Sequence, residues 1–314
     1  MAQAQAIPRK TGRGIFLFKW ILIGPLFGLL LFILPAFLLQ LYFSFHAWTI
    51  YLGSWWSADF VGLGMFREVL TDSRFWWSAL RSLIFASLST LGCFAAGFGL
   101  ALLMYRPFRG HSIFYAVFIL PMLTVPVVIA YTFEMLLFQR GPINGILSVI
   151  LQTDVRVTWL AQPPIAVFTV IMLEIWNWTP FVFIIMLAGL SSLPPELNEA
   201  AQILGAGRWK IFREVQLPLL RPVITLALIL RFLEAMGEFP KTWSLLQGGP
   251  GSATESIPVY LFLTTWQYFH ISKGAAMSYV VLAFTIAIVL AGIRLLQKEK
   301  QTLDTMYRKP GEAE

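Results

Sequence analysis

Residues 191–222 read SSLPPELNEAAQILGAGRWKIFREVQLPLLRP, a stretch with helix start and stop signals between two long apolar runs. Pro194 and Pro195 suit the first turn of a helix, where a backbone N–H has no partner within the helix. Four apolar residues then recur at helical spacing: Leu197, Ala200, Ala201 and Leu204. Gly205 and Gly207 follow, as glycine commonly does where a helix ends. The stretch therefore begins with a short amphipathic helix.

A second amphipathic turn follows in the same stretch. Trp209, Phe212 and Val215 lie three residues apart, and Pro218 ends the pattern. Two short helices joined by a turn are therefore predicted. Such a pair packs on its own membrane domain, docks on a partner protein, or binds DNA as a helix-turn-helix. The DNA interpretation is disfavoured because both ends of the stretch lead into the membrane.

The composition requires a lipid bilayer as solvent. Of the 314 residues, 58% are hydrophobic and 12% are charged, whereas soluble domains carry about 25% charged residues. Barrel-type alternation of apolar and polar residues is absent, so helices are predicted. Six segments are long and apolar enough to cross a membrane: 15–43, 79–104, 113–138, 163–190, 219–245 and 275–297. The predicted fold class is all-α integral membrane, with six transmembrane helices.

The basic residues set the predicted orientation. With the N-terminus inside, 15 of the 23 Lys and Arg residues fall in cytoplasmic segments, as the positive-inside rule expects. This distribution explains the pI near 9.6 without a nucleic-acid partner. The predicted organisation is a cytoplasmic tail over 1–14, a first transmembrane helix over 15–43, an external loop over 44–78, a five-helix core over 79–298 with a cytoplasmic loop over 191–218, and a cytoplasmic tail over 299–314. Residues 255–269 are apolar but too short to span, and fit an interfacial or a re-entrant helix.

The cytoplasmic loop carries a family resemblance. Glu199-Ala200-Ala201, then Gly205 after three residues, then Leu217-Pro218, resembles the EAA motif of binding-protein-dependent ABC importer permeases. The motif also lies before the last two spans, as it does in that family. Leu204 stands where many relatives carry Asp, which argues against a polar contact at that position.

Other stretches of the chain are similar to the sugar-type permeases of this family. This subclass comprises permeases of the maltose, glycerol-phosphate and polyol type. The resemblance runs from about residue 60 onward, although Arg81-Ser82 stands where relatives often have Asn-Thr. The matching stretches are Phe60-Val61-Gly62-Leu63, Phe66, Asp72 and Phe75-Trp76 before the second span, Pro121, Pro126 and Gly141-Pro142-Ile143-Asn144 around the third, and Gly248-Gly249-Pro250 with Ala253-Thr254-Glu255 after the fifth.

The resemblance implies a type I ABC importer permease fold within a machine of several subunits. An extracytoplasmic binding protein would deliver the solute, a second homologous permease would complete the pathway, and two ATPase subunits would hold ATP and Mg²⁺. The chain contains no GxxxxGKS or GxxxxGKT run, so no cofactor, metal or catalytic residue is expected in it. The expected location is the cytoplasmic membrane of a bacterium or archaeon. Coupling to the ATPase is assigned to Glu199, Ala200, Ala201, Gly205, Ala206, Arg208, Trp209, Leu217 and Pro218.

Charged and aromatic residues within the fourth and fifth spans suggest the solute path. Ionisable residues in spans usually face a cavity or a partner, and carboxylates with aromatic rings suit sugar hydroxyls and sugar faces. The substrate-path candidates are Glu174, Trp176, Asn177, Trp178, Arg231, Glu234 and Glu238. An alternative is that Arg231 and Glu234 form a neutralising pair, and that the tryptophans are interface anchors. The expected solute is a carbohydrate or polyol, with glycerol phosphate or another small polar solute as the alternative.

Two other functional classes fit the sequence less well. A secondary transporter driven by ions would use the buried carboxylates as proton relays, but the chain lacks a second inverted half. An intramembrane enzyme would need a catalytic group, and neither HExxH nor a paired nucleophile and base occurs. Cys93 stands alone and the three histidines lie far apart, so no metal framework is predicted.

Overall fold

A computed structural model of the chain describes residues 12–105 and 108–307, and these are mostly helical. Arg9, Lys10, Arg106, Arg308 and Lys309, which entered the orientation prediction, lie outside the described residues, as do 1–11 and 308–314 of the predicted tails. The helices are α1 Gly12–Phe45, α2 Gly64–Thr71, α3 Ser73–Met104, α4 His111–Leu123, α5 Pro126–Leu136, α6 Pro142–Leu151, α7 Pro163–Ser191, α8 Pro195–Ile203, α9 Arg208–Ile211, α10 Leu217–Met236, α11 Pro240–Leu246, α12 Ile257–Phe262 and α13 Ile271–Tyr307. The strands β1 His46–Ala47 and β2 Asp59–Phe60 pair antiparallel.

The apolar helices agree with a membrane protein, but their number differs from the prediction. Among the described residues, four helices are long and apolar enough to cross a membrane: Ile23–Phe45, Ser73–Met104, Pro163–Ser191 and Ile271–Glu299. A fifth is present if α4 and α5 form one broken span. The sixth predicted span, 219–245, corresponds to α10 and α11. Helix α10 carries three charged residues, Arg221, Arg231 and Glu234, which lower its apolar character.

The segment predicted as one helix over 113–138 is instead the pair α4 and α5, bent by 94°. Thr124 and Val125 between them have extended backbone. Pro126 is the cause, because its ring disfavours helical conformation in the residue before it. The proline then serves as the first residue of α5.

Two compact units make up the described chain, 12–69 with 264–278 and 70–263 with 279–307. In the smaller unit, the backbone N–H of Trp48 donates to Ser272 Oγ at 2.9 Å. Lys273 Nζ lies 3.2 Å from Glu68 Oε1 in the same unit. The larger unit contains α3 to α12.

Close packing of α3 against α7 forms the core of the larger unit. Gly97 on α3 lies against the backbone of α7, where an added Cβ would be 2.9 Å from the Phe183 nitrogen and 3.0 Å from the Thr179 oxygen. Small residues allow such approach between membrane helices, which lack a hydrophobic drive to associate. Buried side chains pack around this contact: Cys93, Phe98, Val182, Phe183, Met186 and Leu220.

Substitution of Gly97 by Ala is expected to destabilise the α3–α7 contact. The new methyl group must displace backbone atoms of α7, and overpacking of this kind costs about 1–3 kcal/mol. Gly99 is the matched control, because an added Cβ there meets nothing within 4 Å in the described chain. Thermal unfolding in detergent should show a midpoint below that of the unsubstituted protein for Gly97→Ala. The midpoint of Gly99→Ala should be unchanged. Equal midpoints for the two variants would contradict this packing.

Candidate functional site

A buried carboxylate at the middle of α7 binds two cations. Glu174 Oε1 accepts from Arg231 Nη2 of α10, and Glu174 Oε2 lies 2.5 Å from Lys241 Nζ of α11. The three side chains are at most 2% exposed. Because an isolated charge is costly to bury, each ion here depends on the others for its stability.

Two more carboxylates surround the same pair of cations. Arg231 Nη1 lies 2.6 Å from Glu234 Oε2, and Lys241 Nζ lies 3.4 Å from Glu238 Oε2. The backbone N–H of Lys241 also donates to Glu238 Oε1 at 2.9 Å. We call Glu174, Arg231, Glu234, Glu238 and Lys241 the ion cluster. It contains three carboxyl groups and two basic side chains.

Neighbouring side chains of α7 extend the ion cluster. Lys241 Nζ donates to Asn177 Oδ1 at 2.7 Å, and Asn177 Nδ2 donates to the Pro121 carbonyl of α4 at 2.5 Å. The Trp178 ring lies 5.2 Å from the Arg231 guanidinium carbon and 5.8 Å from Lys241 Nζ, within cation–π range. The network therefore joins α4, α7, α10 and α11.

The predicted substrate-path residues divide into two groups. Glu174, Asn177, Arg231 and Glu238 come together with their polar groups in contact with members of the ion cluster, and Trp178 joins them through its ring. The predicted Arg231–Glu234 pair is present. Accessible surface remains on two other residues: the Glu234 side chain is 39% exposed, and Trp176 is 45% exposed beside Phe133 of α5. Glu234 and Trp176 are therefore the exposed members of the predicted set.

Sequence reasoning missed Lys241, which lies in the predicted span 219–245 but was not among the substrate-path candidates. Its side chain is 2% exposed and touches Glu174 and Glu238. One signal was available, because Glu238 and Lys241 are three residues apart, the spacing of an ion pair on a helix face. The contact between Glu174 and Lys241 joins residues 67 positions apart. No sequence pattern predicts a contact at that separation.

The first predicted short helix of the stretch 191–222 is confirmed as α8, but the prediction that the second ends at Pro218 is wrong. Helix α9 continues through a π-helical turn over Phe212–Gln216 into α10, and Pro218 lies in the first turn of α10, where proline is tolerated.

Helix α8 ends at Ile203, Gly205 has φ +79°, and α9 begins at Arg208. A positive φ favours glycine, which has no Cβ to clash. Gln216 Nε2 donates to Asn198 Oδ1 at 3.1 Å across the turn.

The end of the α8–α9 pair presents apolar side chains outward. Ile203, Leu204 and Trp209 are 87%, 86% and 70% exposed. The other coupling candidates differ in burial: Glu199, Ala200, Gly205 and Arg208 are exposed, and Ala201, Ala206, Leu217 and Pro218 are half-buried. We call Pro195–Ile211 the docking segment. Exposed apolar surface of this kind commonly marks a protein-interaction site.

The fold defines the class of protein. A solved bacterial ABC transporter that imports the acidic polysaccharide alginate has a chain matching 91% of this one, over 96% of its own length, with TM-score 0.78 and 23% identity. A second structure of a bacterial alginate ABC transporter, with a pentasaccharide-bound periplasmic protein, matches at TM-score 0.72 and 24% identity, over 90% of this chain and 96% of that one. The chain is thus an all-α membrane protein with the type I ABC importer permease fold.

Sequence comparison gives the family. Residues 88–298 match the family described as binding-protein-dependent transport system inner membrane component, and the chain belongs to it. The trehalose/maltose transport system permease protein MalF of Thermococcus litoralis is 34% identical over 241 residues, which are 74% of this chain and 80% of the relative. The trehalose transport system permease protein SugA of Mycobacterium tuberculosis is 31% identical over 237 residues, 75% of each chain.

Replacing Glu174 by Gln is expected to destabilise the protein strongly. The change leaves two buried cations with one fewer carboxylate, and breaking a buried ion pair costs about 3–5 kcal/mol. Glu234→Gln is the control, since this side chain is 39% exposed and exposed pairs contribute about 0–1 kcal/mol. Thermal unfolding in detergent and the yield of monodisperse protein measure both effects. If Glu174→Gln unfolds at the same temperature as Glu234→Gln, Glu174 does not hold the cluster together.

Proposed function

We propose that this chain is a transmembrane permease subunit of an ATP-binding-cassette importer, and that its docking segment transmits the motion of a separate ATPase. The observation that carries the proposal is the exposed apolar end of the docking segment, in a chain of the binding-protein-dependent transport family. An amphipathic helix laid into a partner's groove is a common recognition mode. This chain would not hydrolyse ATP itself.

The proposed partners are a second homologous permease, two ATPase subunits that hold ATP and Mg²⁺, and an extracytoplasmic binding protein. The family description and the solved alginate transporter with its periplasmic protein support this set. The proposed location is the cytoplasmic membrane with both termini inside. The distribution of 15 of 23 basic residues supports that orientation.

The proposed contact with the ATPase is largely apolar. Ile203, Leu204 and Trp209 offer the exposed surface, and Glu199 and Arg208 lie at its side as polar contacts. Leu204 replaces the Asp of many relatives, so a hydrophobic pocket on the ATPase is the expected complement. Gly205 permits the turn that presents these side chains together.

The proposed cargo is a neutral carbohydrate or polyol. Relatives at 34% and 31% identity are named for trehalose and maltose transport. Glycerol phosphate or another small polar solute is the alternative.

Substitution of Gly205 by Val is expected to weaken association with the ATPase about tenfold. A β-branched residue at φ +79° costs about 1–2 kcal/mol, so the turn would change conformation. Gly207→Val is the matched control, because Gly207 has φ −70° and ψ 161°, an extended conformation that valine readily adopts. Copurification of the ATPase measures the effect, with uptake as a second measurement. Normal ATPase recovery and normal uptake in Gly205→Val would refute the docking assignment.

The cargo is tested in proteoliposomes that contain the complete complex and its binding protein. The panel is radiolabelled maltose, trehalose, glycerol and glycerol 3-phosphate. Uptake of a neutral member is expected, at a rate well above that of glycerol 3-phosphate. Uptake of glycerol 3-phosphate alone would contradict the carbohydrate or polyol assignment and would leave the importer assignment in place.

A further inference from the structure

A short apolar helix, α6, lies between α5 and α7 in the larger unit. Its ten residues extend about 15 Å at 1.5 Å per residue, which is half the roughly 30 Å of a bilayer core. Helix α6 is therefore too short to cross a membrane. The side chains that it exposes are nevertheless all apolar.

The exposed side chains of α6 follow one face of the helix. Ile146, Val149 and Ile150 are separated by three and four residues, and they are 59%, 79% and 69% exposed. The two polar residues of α6, Asn144 and Ser148, lie four residues apart on the opposite face. Asn144 is buried and Ser148 is half-buried. The helix is therefore amphipathic, and its apolar face points away from the protein.

Hydrogen bonds hold the polar face of α6 against the chain that follows it. Asn144 Nδ2 donates to the Val157 carbonyl at 2.8 Å, and Trp159 Nε1 donates to Asn144 Oδ1 at 2.9 Å. The backbone N–H of Val155 donates to Ser148 Oγ at 2.9 Å. The helix could not turn its apolar face inward without breaking these bonds, so its orientation is fixed.

Both ends of α6 are attached to neighbouring membrane helices. At its start, the Gly141 N–H donates to the Phe138 carbonyl at 2.7 Å. An added Cβ on Gly141 would be 2.7 Å from the Leu136 carbonyl oxygen, so α6 begins directly against the end of α5. After α6, Thr169 Oγ1 of α7 donates to the Trp159 carbonyl at 3.3 Å.

These attachments place α6 at one face of the membrane. Helix α7 is long and apolar enough to cross a membrane from Pro163 to Ser191, and the docking segment follows its far end. Thr169 lies within two turns of the start of α7, and its partner Trp159 binds α6. Helix α6 therefore lies at the membrane face opposite the docking segment.

Lipid fits the apolar face of α6 better than a protein partner does. The exposed side chains are aliphatic, and the face has none of the Trp, Tyr or Arg residues that supply most of the energy of protein interfaces. A helix tethered at the membrane surface also has lipid beside it without any further association. Arg140, two residues before α6, is exposed and has the charge that attracts lipid phosphates.

We propose that α6 is an interfacial helix that lies along the bilayer surface. Ile146, Val149 and Ile150 are buried at the boundary between the headgroups and the acyl chains of phospholipids. The helix thereby anchors the connection between α5 and α7 to lipid, at the membrane face opposite the docking segment.

A fluorescent label on the apolar face tests this placement. Val149→Cys, labelled with the fluorophore NBD, is assembled with cysteine-free partner subunits and reconstituted in vesicles of phosphatidylcholine and phosphatidylglycerol. Cys93 is buried, so the introduced thiol is the reactive one, and the unsubstituted chain gives the labelling background. Because such helices lie about 5–10 Å deep, a lipid nitroxide near the headgroup should quench the emission more strongly than one near the methyl end. Iodide in the water should quench it little.

Thr153→Cys is the matched control for the label. Thr153 is exposed and lies two residues beyond the end of α6, outside the apolar face. Its NBD emission should be quenched by iodide, and much less by either lipid nitroxide.

Other results at position 149 would overturn the proposal. Quenching by iodide alone would place the apolar face in water. Emission at short wavelength with quenching by neither iodide nor nitroxide would mean that a protein subunit covers the face. Stronger quenching by the nitroxide near the methyl end would place α6 within the hydrocarbon core. The importer assignment does not depend on α6 and would stand in each case.

Discussion

The contact on which the larger unit most depends is Glu174 with its two cations, Arg231 and Lys241. Burying an unpaired charge is costly, so these buried ions hold one another in position. The contact requires α7, α10 and α11 to meet at one point, with Trp178 covering both cations. Asn177 brings α4 to the same point through the Pro121 carbonyl. Buried ion pairs often add little net stability, but they strongly disfavour arrangements that would separate the charges.

The ion cluster also bears on how the docking segment would act. Helix α7 leads into this segment and α10 leaves it, so the Glu174–Arg231 pair ties together the two helices that flank it. From Leu217 to Arg231, α10 extends about 21 Å at 1.5 Å per residue. In the proposed function, a displacement of the segment would move both helices as one lever, in the manner of rigid-body gating. Glu238 follows the end of α10 by two residues and contacts Lys241 of α11.

Much of the fold could be predicted from the sequence, because its signals are local. Apolar length predicted the helices that now appear as α1, α3, α7 and α13, and Gly205 predicted the turn after α8. The break at Thr124 and Val125 was missed, although Pro126 carried a local signal for it. The ion cluster was only partly predictable. Arg231 and Glu234 are near in sequence, whereas the partner of Glu174 depends on how helices distant in sequence pack together.

The most direct test separates ATP from ion gradients as the energy source. Membrane vesicles with the complete complex and its binding protein would be supplied with ATP while ionophores collapse the proton and sodium gradients. Carbohydrate uptake should persist under these conditions and should stop when ATP is removed with the gradients restored. The opposite result, uptake that fails with collapsed gradients and continues without ATP, would contradict the assignment of this chain to an ATP-driven importer.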